Sequence, residues 1–279
     1  MRLLAIDSSG LVASAAYMDD DSLLGEYTIN FKKTHSQTLL PMIDELTKML
    51  GIEPDSIDAV AVSKGPGSFT GLRIGSATAK GIGLALDRPI VEVPTVDALA
   101  CNLYDTDGII VPMMDARRSQ VYTGIYHFRD HKLETLMEQT ACSVEELAER
   151  INHMAAGAQT GPETADMGAS SSETWAVRRV IFLGDGVPVY IDRMKELLEF
   201  EFSVAPAHLC RQRAGAVAWL GMQYLKAGKT VPSYAHHPEY LRKSQAEREK
   251  EASGVVIDRI EKDSDRLKPS DYGREDSYE

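Results

Sequence analysis

The sequence predicts an α/β chain that opens with three strands and continues helix, strand, helix, strand. Three observations carry this. Short apolar runs separated by turn residues fill the first thirty positions, residues 36–50 repeat apolar side chains at helical spacing, and a Gly-Pro-Gly loop joins a buried-type strand to a glycine- and alanine-rich helix. Three leading strands followed by that alternation is the order of a ribonuclease-H-like lobe.

The elements follow in turn. Residues 3–7 form an apolar run ended by Ser8-Ser9-Gly10, and runs 12–17 and 23–29 flank the acidic turn Asp19-Asp20-Asp21. Leu39, Ile43, Leu46 and Leu50 lie on one helical face, widened by Leu40 and Met42, and Gly51 fits the C-terminal cap. Strands over 57–63 and 90–94 bracket the glycine-striped helix. A degenerate second copy is expected from Ile109, with strands 109–114 and 121–128, a helix over 144–154, a strand over 181–184, and helices over 189–200 and 214–227. The expected division is a first lobe over 1–104, a second over 105–242 with a mobile insert at 155–174, and a charged flexible tail over 243–279. Both the insert and the tail are poor in apolar anchors.

The segment Lys64-Gly65-Pro66-Gly67-Ser68-Phe69-Thr70-Gly71-Leu72-Arg73 is the most specific stretch. Glycines around a proline make a tight turn, and Ser68 or Thr70 can cap the next helix. Such a loop reads first as a plain strand-to-helix turn, with the alternative that it offers amides to a ligand beside Lys64 and Arg73. In the helix that follows, Gly71, Gly75, Ala79 and Gly83 form one nearly bare stripe, and Ala77, Gly81 and Ala85 another. Glycine inside a helix costs about 0.5–1 kcal/mol relative to alanine. The stripes therefore call for close approach by another backbone, within the fold or across a subunit interface.

Composition narrows the function. With 279 residues, 43% hydrophobic and 26% charged, the chain reads as globular. Its formal net charge of −12 speaks against unaided nucleic-acid binding, which favours a basic face. Cys101, Cys142 and Cys210 form no Cys-x-x-Cys pair, which fits a reducing compartment and no structural zinc. No segment approaches the ~20 apolar residues of a membrane span, so a cytoplasmic location is expected.

Several motifs in order resemble the TsaB (YeaZ) family of tRNA threonylcarbamoyladenosine biosynthesis proteins, non-catalytic paralogues of TsaD. They are Met1–Ser9, His35-Ser36-Gln37-Thr38-Leu39-Leu40-Pro41, the Gly-Pro-Gly-Ser-Phe-Thr-Gly-Leu-Arg loop, Val93-Pro94-Thr95-Val96-Asp97-Ala98-Leu99, and Pro238-Glu239-Tyr240-Leu241-Arg242. The resemblance is dense to about residue 128 and looser over 178–247. It implies the two-lobed actin–hexokinase–Hsp70-like fold with a degenerate second lobe. It also implies an accessory, non-catalytic role beside a TsaD-type catalytic subunit and a TsaE-type ATPase, with tRNA reached through the complex and a homodimer when alone. ATP and a metal would belong to the partner proteins, and this chain would carry no cofactor. The helices bearing Leu39, Ile43, Leu46, Leu50, Gly71, Gly75, Ala79 and Gly83 are implied as the shared interface.

Candidate chemistry is sparse. In nucleotide-using members of this fold class an acid at the end of the first strand holds a metal-bound water, and Asp7-Ser8-Ser9 stands there. Asp115 takes the matching place in the second lobe but leads into Ala116-Arg117-Arg118 rather than a glycine-rich turn. Lys64, Arg73, Arg117 and Arg118 are the cations available for nucleotide or RNA contact. TsaD is marked by a His-x-x-x-His pair where this chain carries Thr95 and Leu99, neither of which supplies a ligand nitrogen. His127 and His131 are four apart but lie at a strand end, and nothing beside His236 completes a site. No catalytic or metal-ligating residue is expected. The alternative is an autonomous nucleotide-dependent kinase or ATPase of the same fold, dependent on Asp7.

Overall fold

The computed structural model describes residues 1–31, 34–159 and 179–242. Two five-stranded sheets organise them. The first comprises β1 (Arg2–Asp7), β2 (Ala13–Asp19), β3 (Ser22–Ile29), β4 (Ala59–Gly65) and β5 (Ile90–Pro94), in the order β3-β2-β1-β4-β5. The second comprises β6 (Ile109–Arg117), β7 (Gln120–Arg129), β8 (Lys132–Ser143), β9 (Val180–Leu183) and β10 (Ser203–Val204), in the order β10-β9-β6-β7-β8. Each sheet is an antiparallel meander of three strands with two parallel strands added beside the first. The same order occurs twice, so the second lobe repeats the first, and the fold is the two-lobed actin–hexokinase–Hsp70-like one.

Helices α1 (His35–Leu50) and α2 (Phe69–Ala85) cover one face of the first sheet. Leu39, Ile43 and Leu46 of α1 and Ala79 of α2 meet Leu4, Ile6, Val60 and Val62 there. The inner strands are buried on both faces, which is why they read as continuous apolar runs. The opposite face needs its own cover, and α6 (Ala214–Lys226) supplies it. Val217, Ala218 and Leu220 pack on Leu3, Ala5, Ala61 and Val93. The Ala214 amide donates to Ser14 Oγ at 2.9 Å, and Lys226 pairs with Asp21 at 2.9 Å. This corrects the expected division, which gave α6 to the second lobe. An amphipathic period shows that a helix buries one face, but not which sheet receives it.

In the second lobe, α4 (Val144–Gln159) and α5 (Val187–Leu197) pack on one side of the sheet through Leu147, Ile151 and Met194. The short helix α3 (Thr95–Ala100) packs on the other, where Val96 and Leu99 join Ile110, Met114 and Leu183 between the lobes. The expected segment list lacked β8, a long edge strand of mixed polarity after a turn at Asp130 and His131, both in left-handed backbone. The first residues of the expected insert, 155–159, belong to α4. Its remainder, like the tail over 243–279, lies outside the described residues.

Candidate functional site

The end of β1 meets the loop after β4 directly. Asp7 is 1% exposed, and both of its carboxylate oxygens accept hydrogen bonds. Its Oδ1 accepts from the Ser9 amide at 2.8 Å and the Ser9 hydroxyl at 2.6 Å, and its Oδ2 accepts from Ser63 Oγ at 2.7 Å. Burial pushes its carboxyl pKa up, while the Ser9 and Ser63 hydrogen bonds pull it down. The loop seals the turn from above: Ser8 Oγ donates to the Gly71 carbonyl at 2.8 Å, and the Ser68 amide donates to the Ser9 carbonyl at 2.7 Å. Ser68, not Thr70, caps α2 by accepting from the Gly71 amide at 3.3 Å. The amide and oxygens of this turn therefore face protein.

The second strand-end turn is open. Asp115 is exposed, and its Oδ1 accepts from the Arg117 amide at 2.7 Å and the Tyr190 hydroxyl at 2.8 Å. Burial, then the Asp115 carboxylate, pushes the Tyr190 pKa up to about 12. Asp185 Oδ1 accepts from the Asp115 amide at 3.2 Å, and burial raises its carboxyl pKa. Arg117, Arg118 and Ser119 have φ of 63°, 57° and 55° in succession, each a conformation that costs an L-residue about 1 kcal/mol or more. Lys64 is ion-paired with Glu239 at 3.4 Å and Glu92 at 3.8 Å, and Arg73 lies 4.1 Å over the Phe69 ring.

Thr95 and Leu99, where the resemblance implied the histidines of TsaD, are buried, with Leu99 in the apolar layer between the lobes. Beside them Tyr126 donates to Asp97 Oδ1 at 2.7 Å, and burial raises the Asp97 pKa. The spaced histidines serve separate partners, His127 with Glu134 at 2.9 Å and His131 with Asp105 at 2.8 Å. His35 Nε2 lies 2.9 Å from the Gly10 carbonyl oxygen. Among the described residues no three His, Cys, Asp or Glu side chains converge as a metal site.

The arrangement that sequence reasoning missed is a strap over residues 231–242. Val231 pairs with Ile90 at the edge of β5, and Ser233 donates to the Arg88 carbonyl. Lys80 donates to the carbonyls of Tyr234 and His236 at 3.0 Å each. The Glu239 amide donates to the Lys64 carbonyl at 2.6 Å, Tyr240 stacks on Phe69 at 4.4 Å, and Arg242 donates to the Ala116 carbonyl of the other lobe. The strap thus runs from the first-lobe loop to the second-lobe turn. The Pro-Glu-Tyr-Leu-Arg motif was its only sequence signal, because every partner is remote in sequence.

At its centre, contrary to expectation, His236 does have companions. Its Nε2 lies 2.9 Å from Ser76 Oγ and its Nδ1 2.8 Å from Glu92 Oε1. Serine, histidine and carboxylate stand in the order of a nucleophilic triad, but a substrate carbonyl must reach the serine. His236 is 0% exposed and Ser76 is buried, so the line serves as a lock. Burial holds the His236 pKa below its usual 6.5, against the Glu92 hydrogen bond that raises it; Lys80 and His237 also lower it. A histidine whose folded pKa is lowered takes its proton more readily when unfolded, so its contribution is present above 6.5 and lost as pH falls below it. Between about pH 7 and pH 5, wild-type Tm is expected to fall more than that of His236→Asn. Parallel curves in differential scanning calorimetry would remove this account.

The interface candidates divide by face. Leu39, Ile43, Leu46 and Ala79 are core, and Leu50 is half-buried against it. Gly71 and Gly75 are bare because Ser8 lies against them, and Gly83 because Ser233 does. The close approach is therefore internal, which corrects the expectation that this stripe meets a partner. The second stripe points outward: Ala77, Gly81 and Ala85 are exposed, and an added Cβ at Gly81 would meet nothing within 4 Å. Leu40 (57% exposed), Met49 (71%) and Leu84 (58%) are exposed apolar side chains of the same two helices.

Comparison with known proteins adds to this geometry. The family model described as "TsaD: tRNA N6-adenosine threonylcarbamoyltransferase" matches residues 22–250. The tRNA threonylcarbamoyladenosine biosynthesis protein TsaB of Bacillus subtilis (strain 168) is 30% identical over 247 residues, covering 88% of this chain and 96% of that protein. The protein of the same name from Escherichia coli (strain K12) is 33% identical over 128 residues, 45% of this chain and 55% of that protein. YeaZ from Pseudomonas aeruginosa superposes with a TM-score of 0.64 at 24% identity, covering 86% of this chain and 99% of that one, a likeness of fold.

Proposed function

The chain belongs to the TsaB family of tRNA threonylcarbamoyladenosine biosynthesis proteins, and on that premise we propose that it is the non-catalytic scaffold of the modifying complex. It holds a TsaD-type catalytic subunit in its competent form, with a TsaE-type ATPase as third component. The reaction served is transfer of a threonylcarbamoyl group to N6 of adenosine 37 in tRNAs that read codons beginning with A. ATP and the metal belong to the partners, and the complex works in the cytoplasm.

The observation that carries this reading is the burial of Thr95 and Leu99 where the catalytic paralogue needs imidazole. The sealed Asp7 supports it further, since a buried carboxylate already accepting from three serine donors is shut off from a metal-bound water in solvent. The outward stripe of α2, Ala77 and Gly81 with Leu84 exposed beside them, offers a bare strip with an apolar flank. It suits a partner helix, in a second copy or in the TsaD-type subunit. No helix among the described residues is long and apolar enough to cross a membrane.

The test is threonylcarbamoyladenosine formation on unmodified tRNA by the cognate TsaD-type and TsaE-type proteins, with threonylcarbamoyl-adenylate supplied. Product is expected only when this chain is present, and Asp7→Asn is expected to leave the yield of folded protein's assays unchanged. Equal product without the chain would overturn the reading. Product lost specifically with a folded Asp7→Asn variant would favour the nucleotide-dependent enzyme.

A further inference from the structure

Of the twelve arginines among the described residues, five direct their charge at a carboxylate: Arg2 at Asp19, Arg129 at Glu134, Arg150 at Glu146, Arg193 at Glu145 and Glu196, Arg213 at Glu26. Arg88 and Arg179 donate to single neighbouring oxygens, and Arg211 lies beside Asp185. The other four, Arg73, Arg117, Arg118 and Arg242, also have no carboxylate ion pair among the described residues, and they gather along the strap. Arg73 Nε donates to the Tyr240 hydroxyl at 3.3 Å. Two residues further on, Arg242 donates to the carbonyls of Ala116 and Arg117. Arg117 and Arg118 follow, both exposed, on the left-handed turn.

In a chain of formal net charge −12, four arginines in one row, none ion-paired among the described residues, are a local concentration of positive charge. Three acids adjoin the row. Asp115 accepts from the Arg117 amide and Tyr190, Asp185 from the Asp115 amide, and Glu239 pairs with Lys64. An aromatic surface stands in the same row. Tyr240, stacked on Phe69 at an interplanar angle of 30°, remains 38% exposed beside Arg73. Guanidinium groups answer phosphates, and an exposed ring beside them answers an unpaired base; anionic lipid or polyphosphate would use only the first.

We propose that Arg73, Arg117, Arg118 and Arg242, together with the Phe69–Tyr240 stack, form a contact surface for an unpaired stretch of RNA. Phosphates lie along the arginines, and a base lies against the exposed part of Tyr240. The proposal rests on the functional reading above in one respect, that the RNA is the tRNA substrate. The strap explains why the surface exists only in the folded chain, since it alone brings residues 73, 117 and 242 together.

The experiment titrates an unmodified tRNA transcript against the chain assembled with its TsaD-type subunit, from about 50 to 200 mM salt. Wild type is compared with Arg117→Gln/Arg118→Gln and with Tyr240→Leu, and calorimetry verifies that each variant is folded. The double variant is expected to bind about tenfold more weakly, with a salt slope shallower by about 1.5. Tyr240→Leu is expected to weaken binding about tenfold with the slope unchanged. Wild-type affinity and slope in both variants would overturn the proposal. A shallower slope without a Tyr240 effect would also overturn it, leaving a general polyanion surface. Should no complex form, the functional reading fails at that step, and the same titrations on the chain alone decide the surface by the same criteria.

Discussion

Gly71→Ala is expected to cost more than about 4 kcal/mol, a large part of the 5–15 kcal/mol that holds a typical domain together. The new methyl would fall far inside contact distance of the Ser8 carbonyl oxygen, a backbone atom that cannot rotate away. Ser8 is itself bound, its hydroxyl donating to the Gly71 carbonyl at 2.8 Å, so displacement breaks a second contact. Ten residues along the same helix, Gly81→Ala should do the reverse. That position is open to solvent and sits inside a helix, so alanine is expected to stabilise by up to about 1 kcal/mol. Urea denaturation of both variants checks the pair, and similar midpoints would show that the Ser8 contact does not constrain α2.

Gly81→Leu is expected to weaken association with the TsaD-type subunit at least a hundredfold, about 3 kcal/mol, while leaving the isolated chain folded. Leucine is a good helix former and has free space at this position, so the monomer tolerates it. A partner helix packed against the bare strip of Ala77 and Gly81 would not. Size-exclusion chromatography with light scattering reads the outcome, and an undiminished complex would move the interface off this face. Ala79→Leu is the control with the opposite profile. Ala79 is core, so its enlargement should lower stability by about 1–3 kcal/mol whatever the partner does.

The first lobe was legible because its elements announce themselves locally. Leu39, Ile43 and Leu46 recur at helical spacing, and strands β1, β4 and β5 are short apolar runs between turn residues. β8 was not legible, since an edge strand half open to solvent mixes apolar and polar side chains without clean alternation. The small-residue stripes of α2 were visible, but their direction was not. Only the fold shows that Gly71 and Gly75 face Ser8 while Gly81 faces water. Asp7 was found as a strand-end acid, whereas its hydrogen bonding depends on Ser63, 56 residues away. His236 needed Ser76 and Glu92, more than 140 residues distant, and no local pattern in a single sequence records such a pairing.

The placement of α6 sets a schedule for synthesis. A ribosome that has made residues 1–104 has delivered all five strands of the first sheet, yet the face that receives Val217, Ala218 and Leu220 has no cover until residue 226 has emerged. Leu3, Ala5, Ala61, Val91 and Val93 stay open to other chains throughout that interval. The cover of the first lobe is therefore completed only after the second has been translated, and a fragment cut between the lobes would lack it.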